Sequence, residues 1–79
     1  MISQHPLKVL KALAVRDAGC RKTFADETGL SPTGVGNTLD SLTRYGYAQR
    51  VRVIEHPRLG YPVTLFSATR AGYDVAAAN

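Results

Sequence analysis

Only three residues, Gly29-Leu30-Ser31, separate two helical patterns in this chain. Before them, Arg21 to Thr28 reads as a short helix with Phe24 and Ala25 turned inward, and Gly29 suits its C-terminal cap. After them, Ser31 has the side chain of an N-cap and Pro32 fits the first helical position. Val35, Leu39 and Leu42 then recur at i, i+4 and i+7, one buried stripe of a helix that Gly46 ends. Leu30 drops back into the core after the turn. A join this tight gives a helix-turn-helix, an arrangement whose second helix can lie in a DNA major groove.

The flanking segments complete the fold. Upstream, Pro6 opens another helix in which Leu7, Leu10, Leu13 and Ala14 form the apolar face, with Lys8, Lys11 and Arg16 mostly elsewhere. Its end is expected near Asp17–Gly19. Beyond Gly46 the apolar period drops to two. Tyr47–Ile54 and Val63–Thr69 read as strands, joined by a Pro- and Gly-containing loop, Glu55–Pro62. Arg70 to Asn79 reads as a short helix beginning near Thr69 with a frayed end. The expected fold is α+β: three helices, a two-stranded β-hairpin and a short C-terminal helix, in one domain spanning residues 1–79.

Composition narrows the function. A chain of 79 residues makes a single domain with a thin stability margin. Its 44% hydrophobic content is that of a folded protein, and 20% charged residues is too few for a disordered tail. A net charge of +4 and a pI near 9.6 favour an anionic partner, nucleic acid or an acidic protein surface. Cys20 is the single cysteine, so no intrachain disulfide forms and a reducing cytoplasm is the simplest location. Lys8 and Lys11 interrupt the apolar N-terminal stretch, which reads as an amphipathic helix and not a signal peptide. No run reaches the roughly 18 apolar residues of a membrane span. His5 and His56 lack partner ligands for a metal. Nucleophile–base–acid sets, phosphate-cradling Gly-rich loops and paired carboxylates are all missing, so neither an enzyme nor a cofactor is indicated. Asp26-Glu27 reads as the exposed side of the second helix.

The stretch FADETGLSPTGVGNTLDSLTRYGYAQR resembles the helix-turn-helix of winged-helix transcription regulators, the MarR-like group most closely. In that group a helix ending in Gly-Leu-Ser leads into a recognition helix. That helix ends in Leu-x-x-x-Gly, followed by an aromatic or aliphatic residue, a small apolar one and a nearby Arg. Here these are Leu42, Gly46, Tyr47, Ala48 and Arg50. The group also has a basic wing and a Thr-x-x-Gly opening the next helix. Arg58 and Thr69-Arg70-Ala71-Gly72 fit those places. The resemblance covers roughly Lys22 to Gly72 and implies a winged helix-turn-helix. The chain departs from the group in lacking the long terminal helices used for dimerisation. His56, Pro57 and Arg58 also stand where the wing usually has an acidic–basic pair.

On this reading the recognition helix, about residues 32–45, enters the major groove of double-stranded DNA, and the wing, about 55–62, meets the backbone or minor groove. Thr33 and Asn37 lie one turn apart near the helix start, where base edges are touched. Asn pairs bidentately with adenine, and Thr contacts a thymine methyl. Ser31 and the free backbone N–H groups suit a phosphate, and Thr38, Arg44 and Lys22 are further phosphate contacts. Arg50 and Arg52, alternating on one face of the first strand, and Arg58 in the wing supply the basic anchor. Gly34 and Gly36 weaken the recognition helix by about 1 kcal/mol each. Either they let the backbone approach a duplex or partner closely, or this end of the helix is irregular.

Cys20 falls where the second helix begins, a place that favours a thiolate and so a redox switch; the plainer reading is an inert, partly buried thiol. The leading reading is a cytoplasmic DNA-binding regulator, a repressor in the first instance, working as a homodimer on a two-fold symmetric site. The alternative is a small phage-type winged-helix module that binds a host transcription protein. The sparse charge of the recognition helix suits a flat protein partner.

Overall fold

The computed structural model describes residues 4–16 and 18–79. Four helices, α1 (Gln4–Ala14), α2 (Arg21–Thr28), α3 (Pro32–Arg44) and α4 (Arg70–Ala78), enclose one core with an antiparallel hairpin of β1 (Ala48–Glu55) and β2 (Pro62–Ala68). Val9, Leu10 and Leu13 of α1, Phe24 and Ala25 of α2, and Val35, Leu39 and Leu42 of α3 meet there. Ala48, Phe66 and Ala68 close the core from the hairpin. Val9 is fully buried while Leu7 is only half-buried, so the inward face of α1 is rotated from the expected one. Leu30 packs against the core edge as expected, and Tyr47 joins it there.

The helix ends follow local chemistry. Gly29 caps α2 at φ 76°, and Ser31 Oγ accepts the Gly34 N–H at 3.1 Å to start α3. Gly46, at φ 83°, closes α3. Its N–H donates to Thr43 O at 3.1 Å and that of Tyr47 to Leu42 O at 2.9 Å, the paired bonds of a Schellman motif. Helix α1 stops at Ala14, short of the expected end; Asp17 lies outside the described residues. The early stop frees Gly19 to extend and exchange two backbone hydrogen bonds with Phe66, at 3.0 and 2.8 Å.

Thr69 fastens the last helix. Its Oγ1 accepts the Gly72 N–H at 3.1 Å, capping α4, and donates to Gly46 O at 2.5 Å. Its N–H donates to Tyr47 O at 3.1 Å. Gly72 is buried against that same carbonyl, where a Cβ would overlap the oxygen. The expected frayed end is instead helical to Ala78, and Lys11 Nζ donates to Asn79 O at 2.9 Å.

One irregularity decides which side chains the wing presents. Arg50 pairs with Phe66 but Arg52 pairs with Leu65, so Val51 is an extra residue in β1. Cross-strand partners share a face, and neighbours on one strand do not. Arg50 therefore lies on the face of Phe66, and Arg52 on the opposite one. The expectation that both share a face is corrected by this bulge.

Candidate nucleic-acid interface

Helix α3 exposes Thr33, Asn37, Asp40 and Arg44 at i, i+4, i+7 and i+11, a single row opposite the buried stripe. Thr33 and Asn37 stand one turn apart in its first half, as expected. The start of α2 and the hairpin flank this row, leaving a cleft of about 550 Å³. Arg21, Lys22, Thr33, Asn37, Arg50 and Tyr61 are among its lining residues. Thr38 does not join them. It is 8% exposed and packed on the core side of α3, so it is corrected from a phosphate contact to a buried residue.

The basic residues differ in what they are free to do. Arg50 Nη2 lies 3.1 Å from Asp40 Oδ1 and its guanidinium sits 5.7 Å from the centre of the Phe66 ring. It ties the hairpin to α3. Lys22 Nζ is 3.6 Å from Asp26, its i+4 neighbour, and both side chains are exposed. Arg44 Nη2 donates to Ser41 Oγ at 3.4 Å and takes no ion-pair partner among the described residues. Arg52 is exposed on the far face of the hairpin, away from the cleft. Arg58, also exposed, sits in the wing beside a smaller hollow that Lys22, Glu27 and His56 help to line.

The wing turn is organised by His56. Its Nδ1 accepts the N–H groups of Arg58 and Leu59 at 3.1 and 3.2 Å. Its backbone N–H donates to Tyr61 O at 3.1 Å, and its carbonyl accepts from Gly60 N at 3.0 Å. Gly60 takes φ 73°, which closes the loop.

Gly34 and Gly36 are half-buried and not bare. A Cβ on Gly34 would stand 3.1 Å from Ser31 Oγ and 3.4 Å from the His5 ring. One on Gly36 would stand 3.3 Å from Arg21 Cδ. Side chains of this protein thus occupy the approach expected for an external partner. Helix α3 is regular through both positions, which also removes the irregular-end reading. Arg21 was not marked by the sequence. Its place over Gly36 depends on how α2 crosses α3, and no local pattern encodes that.

Cys20, the N-cap residue of α2, is 3% exposed with Sγ 3.5 Å from Thr23 Oγ1. Burial pushes its thiol up. Hydrogen bonds from the Thr23 hydroxyl and the first backbone N–H groups of α2 together outweigh burial and leave it lowered. Among the described residues no three His, Cys, Asp or Glu side chains group as metal ligands, and no helix is long and apolar enough to cross a membrane.

No protein-family model and no curated protein sequence matches the chain. Solved structures do. A Lactococcus lactis ZitR variant superposes with a TM-score of 0.80 at 22% identity, over 99% of this chain and 50% of that one. The PcaV transcriptional regulator from Streptomyces coelicolor gives 0.77 at 24%, over 96% and 51%. NMB1585, a MarR family regulator from Neisseria meningitidis, gives 0.76 at 21%, over 98% and 51%. The chain spans about half the length of these structures, and its fold is a MarR-like winged helix.

Proposed function

We propose that this MarR-like winged helix is a sequence-specific double-stranded DNA-binding regulator of transcription, a cytoplasmic repressor in its simplest form. The observation that carries the reading is the row of Thr33 and Asn37 on α3, exposed beside a cleft that Arg21 and Lys22 of α2 and Arg50 of the hairpin also line. Helix α3 reads base edges through Asn37 and Thr33. Ser31, whose hydroxyl hydrogen remains free to donate, and Lys22 and Arg44 meet phosphates. Arg58 brings the wing to the backbone or minor groove. One such module buries only about 600–1,000 Å² on DNA. Two copies on a two-fold symmetric site supply the affinity and specificity that one lacks.

Fluorescence anisotropy with a duplex selected from random DNA tests this. Arg58→Ala is expected to weaken binding on every sequence and to lower the salt slope by about one. Asn37→Ala is expected to cost about 1–3 kcal/mol on the selected duplex and little on others. If no sequence is selected and binding stays feeble at low salt, the DNA reading fails, and a protein partner becomes the reading to pursue by pull-down.

A further inference from the structure

We propose that Arg21, held across α3 by Gly36, is a DNA phosphate contact, and that Gly36 is present to seat it. The inference rests on the DNA-binding reading above and adds to it a residue from the other helix. Three observations converge. First, the Arg21 stem crosses α3 at Gly36: the position of an added Cβ is 3.3 Å from Arg21 Cδ and 3.5 Å from Nη1. A side chain there requires the arginine to shift by a few tenths of an ångström from its place. Second, Arg21 takes no ion-pair or hydrogen-bond partner among the described residues. The nearby acids are engaged elsewhere, Asp40 with Arg50 at 3.1 Å and Asp26 with Lys22 at 3.6 Å. Third, Arg21 lines the same cleft as Thr33 and Asn37, the base-reading candidates.

Together these describe a cation without a counter-charge, laid against the first half of the recognition helix. A duplex with α3 in its major groove brings a backbone strand past that point. A guanidinium offers a planar fork that matches phosphate oxygens. Resting the stem on Gly36 removes part of the rotamer freedom that would otherwise be lost on binding. Glycine inside a helix weakens it, and here the weakening is matched by a place for the arginine.

The test is a double-mutant cycle read by anisotropy on the duplex that the wild-type chain selects, at several salt concentrations. Arg21→Ala is expected to lower affinity about tenfold and to reduce the salt slope by about one. Arg21→Lys keeps the slope but loses part of the affinity. Gly36→Ala leaves the net charge unchanged and is expected to weaken binding about threefold, an effect that disappears when Arg21 is already alanine. Wild-type affinity and slope in Arg21→Ala overturn the phosphate contact. A Gly36→Ala effect that persists in the Arg21→Ala background overturns the seat. If Gly36→Ala does not fold, Arg21→Ala and its salt slope decide the contact, because that side chain is exposed. Failure of the wild-type chain to bind any duplex refutes the DNA reading itself, a result distinct from a wild-type chain that binds and an Arg21→Ala variant that binds equally well.

Discussion

Gly72 and Gly36 are both helical glycines, and their neighbours give opposite expectations for alanine. At Gly72 the added carbon meets the Tyr47 carbonyl oxygen, a backbone atom already committed to the Thr69 N–H. Neither can yield without parting α4 from the end of α3. Gly72→Ala is expected to destabilise the protein by about 1–3 kcal/mol, checked by urea unfolding. At Gly36 the neighbour is the end of an exposed arginine. Alanine there should leave stability unchanged or raise it by up to about 1 kcal/mol through helix propensity, even as DNA binding weakens. Gly29 and Gly46 were legible from sequence because their reasons are local, a left-handed residue at a helix end. Gly36 was not, because its reason lies on another helix. Thr38 failed for a related cause: a threonine beside a stripe of Val and Leu belongs to either face, and only the helix rotation decides.

At the level of elements, the wing holds its shape through one side chain. His56 satisfies two consecutive N–H groups that no strand partner reaches. His56→Ala is expected to leave the melting temperature nearly unchanged, because the turn lies outside the core. It should speed amide exchange at Arg58 and Leu59 and weaken DNA binding about threefold, as the loosened wing must then give up conformational freedom on binding. Exchange rates that stay at wild-type values would show that the turn needs no imidazole. The helices and both strands were readable to within a few residues from period and capping chemistry. The bulge at Val51 was not, since Arg-Val-Arg-Val alternates identically with or without it. A one-residue slip reverses every side chain after it, which is why Arg50 grips α3 while Arg52 looks away.

Across the whole molecule, charge is arranged and not merely abundant. Arg16–Glu27, Lys22–Asp26 and Arg50–Asp40 pair three of the ten Lys and Arg side chains, and Arg21 and Arg58 are among those with no ion-pair partner in the described residues. Net charge forecast an anionic partner but carried no information about this selection. Oligomeric state was equally hidden. Val15, Tyr45 and Val53 are exposed, but single exposed apolar residues are normal on any surface. The dimer proposal predicts two chains on each selected symmetric duplex, measured by sedimentation velocity, with cooperative loss of binding when one half-site is scrambled. One chain per duplex, with both half-sites behaving independently, would oppose it.

The pair of hydrogen bonds between Gly19 and Phe66 has a mechanical side. Gly19 follows α1 closely in the chain, and Phe66 belongs to the strand that returns from the wing. The two bonds act as a rivet between the segment that joins α1 to α2 and the root of that arm. The wing is thereby moored from outside its own hairpin, at a point on the chain that precedes the recognition helix.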